Sequence, residues 1–225
     1  MCRILLTIPV FNESRFLDAV LLETLSYLDP ADVLVVDDGS TDDSSQIAAK
    51  HGVQILRHPA NLGKGAAIKS AVGFALEKGF DWLMIMDGDG QHPARSLPDF
   101  IRKIETDRYD LVLGNRVQRR ESNMPLHRFL SNGITSILVS LCAGGQRIRD
   151  SQCGFRAVRL NRLRGLHFRS MGFQVESEML IKLGRAGAKF DQVPIATVYG
   201  DQVSSIRVVW DTLKFLKLIL KSLWW

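Results

Sequence analysis

The chain has 225 residues and a mass of 25.2 kDa, and 29 Lys and Arg against 24 Asp and Glu give it a formal charge of +5. That length suits one large domain with an ample buried core, and 46% hydrophobic with 24% charged residues excludes a disordered or fibrous chain. The charge is uneven: Arg116 to Arg169 holds 11 Arg, no Lys and only two acids, Glu121 and Asp150, a net of +9 that leaves −4 for the rest. One half of the molecule therefore suits an anionic partner, with nucleic acid, phosphate and anionic lipid all open at this point.

Three cysteines, Cys2, Cys142 and Cys153, share no metal-ligand spacing and form no disulfide framework, which points to a reducing compartment. The opening residues MCRILLTIPVFNE lack the charged n-region and long apolar run of a secretory signal. No stretch reaches about 18 uninterrupted apolar residues. The expectation is an intracellular protein, soluble or peripheral to a membrane.

Through residue 115, short β-rich runs alternate with helical patterns. The sequence predicts strands at Arg3–Pro9, Val33–Val36, Val53–Leu56, Trp82–Met86 and Leu111–Leu113, with helices near Ser14–Tyr27, Asp42–His51, Lys64–Lys78 and Ala94–Glu105. This alternation implies an α/β fold with a parallel, doubly wound sheet, in which ligands bind at the carboxyl ends of the strands. Polar and Gly-rich clusters fall at those ends: Asn12-Glu13, Asp37-Asp38-Gly39-Ser40 and Asp87-Gly88-Asp89-Gly90. One sheet edge is thereby lined with carboxylates.

Beyond residue 115 the pattern predicts helices at Leu126–Cys142 and Gln174–Ala186 and a strand at Lys189–Pro194. No linker, low-complexity segment or repeat divides the chain, so residues 1–206 read as one domain in two halves, 1–115 and 116–206. Residues 207–225 form a C-terminal amphipathic helix. Lys214, Lys217 and Lys221 lie within about 60° on its wheel beside Asp211, and its other faces are Leu, Ile, Phe, Val and Trp. Two readings stand for it. It lies in a membrane interface with Trp224 and Trp225 at headgroup level, or it packs on the core.

Three motifs carry chemistry. In Asp87-Gly88-Asp89-Gly90-Gln91-His92-Pro93, two carboxylates at i and i+2 on a straight strand would face opposite ways, and Gly88 and Gly90 permit a bend that converges them. Hard oxygen ligands, with Gln91 as a third, suit Mg²⁺ or Mn²⁺ bridged to phosphate; His92 is a further candidate ligand. The Asp37-Asp38 turn offers acceptors to a ribose or base, with Ser40 or Thr41 as a helix cap. Asn61-Leu62-Gly63-Lys64-Gly65 opens a helix in a way that presents backbone N–H groups to an anion, and Lys64 is either near a phosphate or a solvated loop lysine.

Pro9-Val10-Phe11-Asn12-Glu13, the DDGSTD turn at Asp37, NLGKGAA at Asn61, DGDGQHP at Asp87, Gly114-Asn115-Arg116, the run from Asp150 to Arg156 (DSQCGFR) and Glu176-Ser177-Glu178 occur in that order. The series resembles the family 2 glycosyltransferases, and within them the branch that charges polyprenyl phosphates, the dolichyl-phosphate mannose and glucose synthases and their bacterial relatives. The resemblance runs from about Arg3 to the end of the chain. It implies a GT-A-type Rossmann-like, mostly parallel sheet, a UDP- or GDP-linked sugar donor, Mg²⁺ or Mn²⁺ as cofactor, and inversion at the anomeric carbon. Carried over by position, Pro9, Asn12, Glu13, Asp37, Asp38, Lys64 and Asp87 hold the nucleotide sugar. Asp87, Asp89 and Gln91 hold the metal, and Asp89, Arg116, Glu176 and Glu178 are the catalytic candidates. Arg116, Arg128, Ser131, Arg156 and Arg207 are the candidates for an acceptor phosphate.

Two departures stand out. The family often has Ser-Arg where this chain has Ser131-Asn132, and Ser-Lys or Ser-His where it has Ser204-Ser205, leaving Arg207 as a substitute cation. The expected partners are the nucleotide sugar, a polyprenyl phosphate and the anionic inner face of the cytoplasmic membrane, with a membrane-protein partner or a homo-oligomer also open. A sugar hydroxyl acceptor and a non-catalytic nucleotide-sugar-binding subunit are the competing readings. Nucleic acid is not expected, because no binding motif or aromatic stacking array accompanies the arginines.

Overall fold

The computed structural model describes residues 2–116, 126–196 and 208–225, with the side chains at 126–129, 208–209 and 211 outside that description. The strands are β1 Ile4–Val10, β2 Val33–Asp37, β3 Gln54–Arg57, β4 Trp82–Ile85, β5 Leu111–Asn115, β6 Arg156–Arg159 and β7 Phe190–Pro194. The helices are α1 Ser14–Thr24, α2 Ser44–Lys50, α3 Lys64–Glu77, α4 Leu97–Glu105, α5 Leu126–Cys142, α6 Gln174–Arg185 and α7 Val208–Ser222. Among the described residues the strands form one sheet in the order β3-β2-β1-β4-β6-β5-β7.

The sheet is mixed. β1 pairs in parallel with β2 and β4, β2 with β3 and β5 with β7, whereas β6 runs antiparallel to both β4 and β5. The sequence does not announce β6. Arg156-Ala157-Val158-Arg159 reads as a polar segment, yet it is a central strand with Arg156 fully buried. A guanidinium tolerates that position only because protein oxygens surround it.

Strand residues alternate between two cores, as a period of two requires. Leu5, Leu34, Val36, Leu83 and Ile85 face α3, α5 and α6, where Ala67, Ile68, Ala71, Val139 and Met179 cover them. Leu6, Ile8, Val35 and Met84 face α1 and α4, against Leu17, Leu21, Leu97 and Phe100. Alanines along the buried side of α3 let its backbone lie close to the sheet. The carboxyl ends of β1, β2, β4 and β5 then share one edge, which carries the acidic motifs.

Candidate active site

The turn after β1 is locked onto the turn after β2. Asn12 takes a left-handed backbone, φ 57°, which Asn tolerates better than most side chains. Its Oδ1 accepts from Thr41 N at 2.8 Å, and its own N–H donates to Ser40 Oγ at 3.0 Å. Asn12 therefore braces the second turn. Asp37 is fully buried and accepts from Ser40 N and from Ser45 Oγ, with Arg57 Nε at 3.3 Å. Burial works to raise its pKa, but the Ser40 and Ser45 hydrogen bonds and Arg57 hold it below the ordinary carboxylate range. Beside it, Gly39, Ser40, Thr41, Arg57, His58 and Pro59 line an open cleft of about 490 Å³, a size typical of ligand pockets.

Asp38 turns inward. Its carboxylate accepts from His58 Nδ1 at 2.7 Å, Leu62 N at 3.0 Å and Gly63 N at 2.7 Å, while His58 Nε2 lies 2.9 Å from Ser70 Oγ. Three N–H groups of the Asn61–Gly65 loop, those of Leu62, Gly63 and Gly65, are thus met by the protein's own groups, since Gly65 N also donates to Met171 O at 2.7 Å. Gly63 at φ +93° allows that approach, because a Cβ there would lie 2.4 Å from Met171 O.

Lys64, the first residue of α3, is the centre of the site. Its Nζ lies 2.5 Å from Asp87 and 2.7 Å from Glu176. Burial opposes its charge, but the two carboxylates push its pKa well above the ordinary lysine value. Glu176 opens α6 and also faces Arg156 Nη2 at 3.6 Å. Arg156 is buried beneath the site, donating to Glu176 O and Cys153 O, so it orients Glu176 and does not reach the open edge. Glu178, two residues and about half a turn further along, is buried and accepts from Arg169 N, Ser170 N and Lys182 Nζ. It holds the segment that passes over Gly63 and Gly65, away from Asp87.

The acids at the ends of β1 and β4 are under mutual strain. Burial, then Asp89, Asp87 and Asp42, raise Glu13 to about 7. Burial and the neighbouring Asp87 raise Asp89 to about 6. Asp87 itself is held low: burial works to raise it, and Lys64 and His92 outweigh that. His92 is buried, 4.0 Å from Asp87, and burial lowers its pKa to about 4. Asp89 Oδ1 accepts from Gln91 N, which fixes the loop's bend. Gly154 packs against the Asp87 carboxylate so closely that a Cβ there would lie 2.1 Å from Oδ2.

Among the described residues, no three His, Cys, Asp or Glu side chains converge to cage a metal. Mg²⁺ and Mn²⁺ commonly use one or two protein carboxylates and complete the shell with water and substrate phosphate. Asp87 and Asp89, two neighbouring carboxylates of which Asp89 is raised by burial and by Asp87, fit that mode.

Arg116, at the end of β5, is gripped by buried Asp150: Nε to Oδ2 is 2.7 Å and Nη2 to Oδ1 is 2.9 Å, with its own backbone N–H on Oδ2 at 3.1 Å. Asn132 Nδ2 donates to the same carboxylate at 2.9 Å. Burial opposes the Asp150 charge, and Arg116 and Asn132 hold its pKa below the ordinary range. Asn132, where the resembled family often has Arg, therefore supports the Arg116 clamp. The other candidates are dispersed. Pro9 lies within β1, Ser131 is exposed on α5, the Arg128 side chain lies outside the described residues, and so does Arg207. Several arginines of the basic stretch are neutralised locally, Arg159 and Arg162 by Asp110 and Arg159 also by Asp107. His58 is a support that no motif marks, whereas Asp150 opens the DSQCGFR run and is also one of only two acids among 11 arginines.

The glycosyl transferase family 2 model matches residues 6–176. An uncharacterized protein of Methanocaldococcus jannaschii is 34% identical over 95% of this chain and 96% of its own length. The undecaprenyl-phosphate mannosyltransferase of Micrococcus luteus is 30% identical over 87% of this chain and 84% of its own. Glucosyl-3-phosphoglycerate synthase from Mycobacterium tuberculosis, solved in complex with Mn²⁺ and uridine-diphosphate-glucose, has a TM-score of 0.76 at 18% identity, covering 98% of this chain and 79% of that one. At that identity the last comparison speaks to the fold, which is that of the GT-A enzymes.

Proposed function

The chain belongs to glycosyl transferase family 2, and we propose that it transfers a hexose, with inversion, from a nucleotide-diphosphate sugar to a polyprenyl phosphate at the inner face of the cytoplasmic membrane. The observation that carries the reading is the buried Asp87–Lys64–Glu176 array beside an ionisation-strained Asp89, at the sheet edge where this fold class binds its ligands. Support for the acceptor comes from the Micrococcus luteus relative, named for mannosyl transfer involving undecaprenyl phosphate, and support for donor and metal from the Mn²⁺ and uridine-diphosphate-glucose of the distant structural neighbour.

In this mechanism a phosphate oxygen of the acceptor attacks the anomeric carbon, and the bond from that carbon to the donor's β-phosphate oxygen breaks, releasing a nucleoside diphosphate. The acceptor is already an anion, so it needs positioning more than a base. Arg116, its guanidinium held in place by Asp150, brings a fixed positive charge to it. Lys64 places a permanent positive charge where the leaving diphosphate becomes more negative. Glu176, held between Lys64 and Arg156, is oriented toward the sugar. A divalent ion on Asp87 and Asp89, with Gln91 beside them, would neutralise the diphosphate as a Lewis acid. The outer face of α7 would rest on the anionic membrane surface.

A second acceptor chemistry stands beside this one: a sugar hydroxyl needs a base, and Glu13, half-buried just after β1, is a carboxylate placed at that edge. Purified protein with UDP- and GDP-hexoses, Mn²⁺ or Mg²⁺, and a short-chain polyprenyl phosphate decides between them. The expected result is sugar recovered in the organic phase as a prenyl phosphate ester, with loss of about a hundredfold or more in Asp89→Asn. Transfer confined to saccharide hydroxyls overturns the polyprenyl reading.

A further inference from the structure

The terminal helix packs on the core by one side only. Phe215, Leu218, Ile219 and Ser222 form the inner side of α7, with Phe215 and Ile219 against the core, while Trp210, Leu213, Leu216, Leu220 and Leu223 on the other side are 46–64% exposed. α5 shows the same reversal more sharply. Leu130, Ile134, Ile137 and Leu141 recur at spacings of four, three and four, which places them within about 60° of one another, and they are 56–69% exposed. The opposite side of α5 carries Asn132, Ser136 and Val139, all buried. The inner side mixes polar Asn132 and Ser136 with Val139, while four aliphatic side chains face out, unlike an ordinary surface helix.

We propose that α5 and α7 together form one face that lies on an anionic lipid bilayer, with α5 as a second docking element alongside the terminal helix. The inference extends the membrane part of the reading above and rests on it. Both helices pack their inner sides on the same core cluster, through Val139 and Cys142 of α5 and Phe215 and Ile219 of α7, so their outer sides turn away from the protein together. Arg185 joins their carboxyl ends, donating from Nε to Cys142 O at 2.7 Å and from Nη1 to Ser222 O and Trp225 O. Monomeric soluble proteins rarely expose contiguous apolar patches above a few hundred Å², and two adjacent helices with bare aliphatic stripes suit an apolar medium.

Charge selects the occupant. Exposed Lys214, Lys217 and Lys221 border the apolar arc of α7, and Trp224 at its end is 80% exposed. An anionic headgroup layer complements such a border. A second copy docked across a two-fold axis would set the same lysines against each other. The arrangement also has a consequence for the site. The inner side of α5 presents Asn132 to Asp150, which grips Arg116, so the lipid-facing surface lies about one helix diameter, ~10 Å, from the acceptor arginine's clamp.

The test is cosedimentation with phosphatidylcholine vesicles, with and without phosphatidylserine, for the parent, Ile134→Glu/Ile137→Glu and Leu216→Glu/Leu220→Glu. All four side chains are exposed, so unchanged thermal unfolding checks that the variants fold. The parent should bind only the anionic vesicles, more weakly at high salt, and each pair of substitutions should weaken partitioning by about tenfold or more. If the parent binds and only the α7 variant loses binding, the α5 inference fails while the membrane reading stands. If the parent ignores both vesicles, both fail. A lipid-free dimer that Ile134→Glu/Ile137→Glu converts to monomer makes a second copy the occupant and overturns the proposal. Transfer to a detergent-dispersed prenyl phosphate, which the α5 variant should retain, reads the catalytic function separately.

Discussion

Replacing Asp38 by Asn separates a structural anchor from a ligand contact. The side chain keeps its size, and its oxygen can still accept from His58 and Leu62 N, which both meet Oδ1. The new amide NH₂ then faces the Gly63 N–H across what was a 2.7 Å bond. Two donors oppose each other, and a bond to a charged acceptor is gone. Such a bond contributes about 1.5–3 kcal/mol, and the donor left unmet adds to the loss. The Gly63 site is only half-buried, so a total of about 2–4 kcal/mol is expected, equivalent for a domain of this size to roughly 5–15 °C in Tm. Urea or thermal unfolding of the ligand-free protein is the assay. His58→Ala should destabilise through the same anchor, and the double variant should fall short of the sum. An Asp38→Asn protein within about 0.5 kcal/mol of the parent, but impaired in nucleotide binding, would refute the anchoring role and return Asp38 to the donor site.

Two further outcomes follow from the geometry. Glu13 is raised to about 7, so its neutral form stabilises the fold fully below the unfolded carboxylate range, and that contribution disappears as pH rises through about 7. His92, lowered to about 4, acts oppositely, losing stability as pH falls through the range between its unfolded and folded values. The difference between the parent and Glu13→Gln removes the His92 contribution: relative to the variant, the parent should lose stability between pH 5 and 8, and parallel stability–pH curves would exclude the strained carboxylate. Gly154→Ala puts a methyl group 2.1 Å from the present position of Asp87 Oδ2. The carboxylate must move off Lys64, and donor turnover should drop by about tenfold or more; a variant with parental turnover would show that Asp87 is not needed in that position.

The arginine-rich half shows one charge pattern divided between internal pairing and exposed surface. Its net +9 suggests a field aimed at an external anion. In the folded chain Arg116, Arg156, Arg159 and Arg162 are turned toward Asp150, Glu176 and Asp110. The stretch is therefore partly an internal scaffold, while Arg147, Arg149, Arg164 and Arg169 stay exposed and α7 adds a separate row of exposed lysines.

Local pattern alone carries the alternation of strands and helices through residue 115, the acidic turns at strand ends and the amphipathic character of the last helix. These are local properties: side-chain period, Gly and Asn in turns, and a run of carboxylates each report on a few neighbouring residues. Which charge meets which emerges from the folded chain. Lys64, Asp87 and Glu176 are far apart in the chain, as are Arg116 and Asp150. Likewise, a helix wheel shows that α5 has an aliphatic stripe but cannot show which side is buried. That depends on Asp150 and Ser151, residues beyond its end, offering polar partners to Asn132 and Ser136 and so turning the stripe outward. Pairings of this kind depend on chain closure over long separations, and local pattern carries no record of them.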